Sequence, residues 1–182
     1  MTNQELKKFE HFVNTHRKSI INFHYRFVGD KFEAENLAQD TFLKAYVKFD
    51  TLQDQSKSKS WLFSIARNVV IDFFRRNKNR EMALGNEMVE NFLEGTATVA
   101  VSAQIDEDEI SKELQRCIDQ LSGQDKMLIK LLYYEGFTYK EIGQILHINQ
   151  NTLKSRLHRA RTMLLAIIQH NDLLRDVAIQ YH

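Results

Sequence analysis

Apolar residues recur at helical spacing through most of this chain, and sustained two-residue alternation is absent. Five long segments carry the pattern. Glu5–Phe27 offers Phe9, Phe12, Val13, Ile20, Phe23 and Phe27 to a core. Phe32–Phe49 offers Leu37, Ala38, Phe42, Ala45, Tyr46 and Phe49, with Glu33, Asn36, Asp40 and Lys44 facing outward. Lys59–Arg80 carries Leu62, Ile65, Ala66, Val69 and Phe73, spaced i, i+3, i+4, i+7 and i+11. Asp106–Leu121 carries Ile110, Leu114, Cys117, Ile118 and Leu121. Gln124–Glu135 follows, with Met127, Leu128, Leu131 and Leu132 inward. Gly29 and Asp30 separate the first pair, and Ser122 and Gly123 end the fourth segment. The prediction is an all-α protein.

The most informative stretch is Tyr134–Met163. Gly136 breaks the preceding helix. Thr138 and Glu141 have the spacing of a capping box, opening a short helix over Tyr139–His147 with Ile142, Ile145 and Leu146 apolar. Asn149 is placed to cap a second helix that runs past Arg161, with Leu153, Leu157, Ala160 and Leu164 on one face. Gly143 is expected where the two helices cross, its missing side chain letting the backbones approach. This is the helix-turn-helix pattern, whose second helix enters the DNA major groove. Lys154, Arg156, Arg159 and Arg161 give that helix four cations, and no carboxylate occurs between Asn149 and Asn171. Asn149, Gln150, Asn151, Thr152 and Ser155 crowd its N-terminal end, where amide and hydroxyl groups can read base edges while cations hold phosphates. A cationic face alone would be an ordinary solvated surface; the preceding helix and turn make DNA binding the better reading.

Charge divides the chain in three. Residues 1–79 carry +5, residues 80–110 carry −7 and residues 111–182 carry +3. Two basic lobes flank an acidic connector, and only the lobes suit nucleic acid. The chain has no proline, against about nine at average usage, and six glycines, which favours helix throughout. The single cysteine, Cys117, excludes an internal disulfide and sits on an apolar face, where it reads as a buried inert thiol. No apolar run reaches the length of a membrane span and MTNQELKKFE is not a signal peptide, so the expected compartment is the cytoplasm. His11, His16 and His24 lack metal-ligand spacing and read as ordinary helix residues. No nucleophile motif or Gly-rich phosphate loop is present, so no catalytic residue, metal or cofactor is assigned and an enzyme is not expected.

Three blocks together resemble a known family. FTYKEIGQILHIN followed by LKSRLHRAR is similar to the C-terminal, region four domain of the extracytoplasmic-function (ECF) sigma factors of bacterial RNA polymerase. AENLAQDTFLKAY and KSWLFSIARNVVIDFFRR resemble that family's region two. The blocks come in the family's order and cover nearly the whole chain. The resemblance implies two small helical domains, at 1–80 and 108–182, joined by a flexible acidic linker at 81–107 with short helical pieces at 87–93.

It also implies roles. Glu35, Asn36, Gln39, Asp40 and Thr41 would dock on the coiled coil of the polymerase's largest subunit; Asn36 stands where the family has an acid. The polar loop Asp50–Ser60 would capture an unstacked base of the −10 element, with Asp54, Gln55, Ser56 and Lys57 as candidates. Trp61, Arg67, Asn68, Arg75 and Arg76 would extend that contact along the third helix, where basic residues interleave with aromatics. Trp61, Phe63, Phe73 and Phe74 are also candidates for the core, which is the better reading for most of them, and Phe73 is assigned there. Asn149, Thr152, Lys154, Ser155, Arg156, His158 and Arg159 would face bases and phosphates of the −35 element. The implied partners are core RNA polymerase, through its largest and second-largest subunits, promoter DNA and an anti-sigma factor; no cofactor and no membrane insertion are implied. The connector would thread the polymerase cleft toward the RNA exit path. His147 stands where the family often has glycine and must adopt an unusual backbone angle. The main alternative is a polymerase-independent dimeric helix-turn-helix regulator.

Overall fold

Asn3–Val28 is one continuous helix, α1, because its aromatic and aliphatic residues return to one face every three to four positions. The computed structural model describes residues 3–52, 54–83, 109–172 and 174–175, with the backbone alone for 79–83. Helix α1 stops where Gly29 takes a positive φ of 69° and its N–H returns to Tyr25 O at 2.8 Å. Asp30 then caps α2 (Lys31–Val47), its carboxylate accepting from the Glu33 N–H at 2.7 Å. Two short 3-10 turns, Phe49–Thr51 and Gln55–Lys57, lead into α3 (Ser58–Ala83).

These helices close a core rich in rings. Phe9 meets Tyr46 and Phe49 edge-on, with centroids 5.2 and 5.0 Å apart, and Phe23 meets Phe63 at 5.2 Å. Ile20, Phe23, Ala34, Ala45, Leu62, Phe63, Ala66 and Val70 are buried beneath them. The stripes predicted for α2 and α3 are close to those observed. Tyr46 keeps 42% exposure despite its ring contact, Phe42, Phe49 and Phe73 are half-buried, Ala34 and Val70 are buried outside the predicted stripes, and Phe63 is fully in the core.

The principal break between two compact units follows Asn77. Helix α3 itself continues to Ala83, three residues beyond the expected domain edge at residue 80. The rest of the predicted connector, with its helical pieces at 87–93, lies outside the described residues, as does most of the tail beyond Asn171.

The second unit comprises α4 (Glu109–Asp119), α5 (Gly123–Ile129), α6 (Tyr139–Leu146) and α7 (Gln150–Gln169). Helix α5 runs on as a wider π-type turn over Lys130–Tyr134, closed by the Glu135 N–H on Lys130 O at 3.2 Å. Ile118, Leu121, Ile129, Leu157 and Ala160 form its core, with Leu114, Leu132, Tyr139, Leu164 and Ile167 packed around them. All described residues are helix, turn or loop; none is in a strand.

Candidate nucleic-acid interface

The turn between α6 and α7 is built from local backbone chemistry. Thr138 Oγ1 and Glu141 close the predicted box: the Glu141 carboxylate accepts from the Thr138 N–H at 2.8 Å and from its hydroxyl at 2.6 Å. His147 takes the left-handed conformation at φ 54°, as the turn requires. Asn149 caps α7, its Oδ1 accepting from the Thr152 N–H at 2.8 Å. Gly143 is needed at a different place from the one expected. A Cβ there would stand 3.0 Å from Ile148 O, so the close approach is to the turn's own carbonyl and not to the crossing helix.

Leu153, Leu157 and Ala160 seat α7 in the core, which turns its remaining positions outward. Lys154, Ser155 and His158 are exposed, and Thr152 and Arg156 are half-buried. Ser155 Oγ donates to Thr152 O at 3.0 Å, which leaves its lone pairs free to accept. Lys154 and Arg156 have no ion-pair partner among the described residues, so their charge is available to an anionic ligand. Asn149 spends one lone pair of Oδ1 on its cap, which leaves its amide hydrogens and the second lone pair to meet a base.

Arg159 differs from the other predicted −35 residues. Its Nη2 donates to both carboxylate oxygens of Asp125 on α5, at 3.2 and 3.3 Å. The Asp125 side chain is 2% exposed, whereas that of Arg159 is 60% exposed. The guanidinium is thus fastened to the protein on one side. Asp125 was missed in the sequence, although Ser122–Asp125 has capping-box spacing. Ser122 caps α5, accepting from the Asp125 N–H at 3.2 Å and donating from its hydroxyl to Asp125 Oδ2 at 2.8 Å. The same helix is held to α4 by two buried lysines, Lys126 and Lys130, whose ammonium groups lie 3.4 and 3.3 Å from Asp119 Oδ1.

In the first unit, the loop 54–57 presents Asp54, Gln55, Ser56 and Lys57 together on the surface. Asp54 organises it, accepting from the Ser56 N–H at 3.0 Å and its hydroxyl at 2.6 Å and pairing with Lys57 at 3.1 Å. The Ser56 hydroxyl, then the Lys57 side chain, hold the Asp54 carboxyl below the usual carboxylate range. Along α3, Asn68, Arg75 and Arg76 are exposed. Arg67 donates to Asn68 Oδ1 at 2.9 Å, Arg75 pairs with Asp72, and Arg76 Nε reaches Asp72 O at 3.3 Å. Trp61 is half-buried, with its ring 6.2 Å from Phe12 and 6.5 Å from Phe49, so its indole is largely a wall of the aromatic core.

On α2, Gln39 is exposed and Glu35, Asn36 and Asp40 are half-buried, all able to meet a partner. Thr41 cannot. It is fully buried, donates to Leu37 O at 2.8 Å and lies 2.9 Å from His24 Nε2. Its place in the predicted polymerase surface is corrected to the interior, because the hydroxyl satisfies itself one turn back and so tolerates burial. His24, read from the sequence as an ordinary helix residue, lies in the core, and burial lowers its pKa to about 3. Among the described residues no group of three or more His, Cys, Asp or Glu side chains is placed to hold a metal ion.

Comparison with known proteins decides the identity of this two-unit arrangement. Residues 12–80 match Sigma-70 region 2, and residues 111–164 match Sigma-70, region 4. The chain is 32% identical over 167 residues to the ECF RNA polymerase sigma factor SigW of Bacillus subtilis, covering 86% of each chain. It is 33% identical over 147 residues to SigM of the same organism, covering 79% of this chain and 86% of that one. The chain belongs to the ECF sigma factors. The fold agrees: the sigma factor RpoE from Bartonella quintana, crystallised with the anti-sigma factor NepR, superposes with a TM-score of 0.66 at 25% identity, over 91% of this chain and 99% of that one. This sigma factor is therefore a DNA-binding initiation factor that directs promoter-specific transcription, and it is not an enzyme. No described helix is long and apolar enough to cross a membrane.

Proposed function

We propose that the two units of this sigma factor divide promoter recognition between them. The second unit reads the −35 duplex with α7 in the major groove, using Lys154, Ser155, Arg156 and His158, with Thr152 and Asn149 at the helix start. The first unit holds the opened −10 region with the loop 54–57 and the exposed edge of α3. Glu35, Asn36, Gln39 and Asp40 dock α2 on the largest subunit of core RNA polymerase. The observation that carries this reading is a capped helix whose outward N-terminal half bears cations without carboxylates.

Each lobe carries only a few net positive charges, so free-factor binding to DNA is expected to be weak. Docking the first unit on the polymerase raises the effective concentration of the second at its element. The factor acts in the cytoplasm, and its controlling partner is an anti-sigma factor, in keeping with the complex in which the similar RpoE was crystallised. Run-off transcription with purified core polymerase on a genomic promoter library tests the reading: a discrete promoter set sharing two spaced elements is expected. A twofold-symmetric dimer that grips free DNA without polymerase would overturn it.

A further inference from the structure

Apolar packing sets which face of α7 turns inward, because Leu153, Leu157 and Ala160 are buried. Hydrophobic contact is non-directional, so a polar contact adds the finer restraint on the rotation of the helix. The recognition face has to meet base edges in one register. Arg161 Nε on α7 donates to the exposed Tyr133 Oη at 2.9 Å, whereas Arg159 pairs with a buried carboxylate, that of Asp125, which is the firmer directional contact.

We propose that Arg159 is a positioning residue: anchored on buried Asp125, it sets the rotation of α7 against α5 and so fixes where Arg156 and its neighbours meet the −35 bases. Three observations support this. Asp125 is held from a second direction by Ser122, so its carboxylate is a fixed point. Helix α5 is itself fastened to α4 through Lys126 and Lys130 on Asp119, so the anchor does not drift with α7. Arg159 lies three, four and seven positions after Arg156, Ser155 and Thr152, on the same face, so a roll at Arg159 displaces all three. The pair is nearly neutral as a unit, which makes it a poor source of phosphate attraction compared with Lys154 and Arg156.

The inference rests on α7 being the −35 reader, and the test separates the two. Holoenzyme is assembled with core polymerase and titrated, across a series of salt concentrations, against a promoter fragment recovered by run-off transcription and a copy with its −35 element scrambled. The variants are Asp125→Asn, Arg159→Gln, the double variant and Arg156→Ala. Asp125→Asn is expected to weaken −35-dependent binding about tenfold, although it removes a buried negative charge, with the salt slope unchanged. The double variant is expected to bind no more weakly than Arg159→Gln, the coupling of a connected pair. Discrimination between the two fragments should fall in all three.

If Asp125→Asn binds as tightly as the parent, or tighter, while Arg159→Gln lowers the salt slope by about one phosphate contact, Arg159 is a direct phosphate ligand and the proposal is wrong. Should Asp125→Asn fail to fold, Arg159→Gln decides alone. A positioning role predicts lost discrimination with the salt slope kept; a phosphate role predicts a slope lower by about one contact with discrimination kept. Arg156→Ala leaving discrimination intact would instead remove the reading of α7 on which the inference stands.

Discussion

Gly143 and Ile148 hold each other across the turn of the helix-turn-helix. The Ile148 N–H donates to Gly143 O at 3.0 Å, and a side chain on Gly143 would meet Ile148 O at the same distance. Both atoms are backbone, so neither can swing aside. Gly143→Ala is expected to destabilise the protein by about 1–3 kcal/mol, as overpacking does, and to loosen the seat of α7. Urea unfolding followed by circular dichroism measures it. An unchanged midpoint would show that the turn opens at no cost.

His24 and Thr41 join α1 to α2 inside the first unit, with Nε2 and Oγ1 2.9 Å apart. The folded pKa of His24 is about 3, against an ordinary 6.5, because burial disfavours the charged ring. The unfolded chain therefore binds the extra proton between these values. Stability is full above pH 6.5 and falls as pH drops toward 3, by at most about 1.4 kcal/mol per unit from this group. Comparing unfolding midpoints at pH 7 and pH 5 for the parent and His24→Gln checks the sign. The parent should lose more than the variant; equal losses would remove His24 as the cause.

Arg156 and Asp40 belong to different steps. Arg156→Ala should lower transcription from the cognate promoter about tenfold while core polymerase binds as before. Asp40→Lys should weaken polymerase binding about tenfold, and transcription only as a consequence. Fluorescence titration of labelled factor with core polymerase, run beside transcription assays, separates the two. Loss of polymerase binding in the Arg156 variant would contradict the assignment.

Cys117 is 1% exposed on the inner face of α4, and burial first, with the Glu113 carboxylate second, pushes its thiol pKa up. A thiol reagent at pH 8 should label it at least about a hundredfold more slowly in native protein than in urea, since labelling waits for opening. Rapid labelling of the folded chain would show that α4 frays on its own.

The local parts of this architecture were legible in the residues alone. The Thr138–Glu141 box, the Asn149 cap and the break at Gly29 each depend on atoms within a few positions of one another, while the left-handed His147 was implied by the resemblance. Helical periodicity likewise reports the average face a helix turns inward, which is why most of the core positions stand as read. What the spacing could not reveal was which polar groups would be consumed by long-range partners. Arg159 meets Asp125 across 34 positions and His24 meets Thr41 across 17, and neither pair leaves a periodic trace. Composition and spacing thus set the helices, the two cationic lobes and the helix that faces DNA. Only tertiary packing decided that Thr41 lies inside and that Arg159 is tied back to α5, because burial and ion pairing are settled by which surfaces the folded helices bring together.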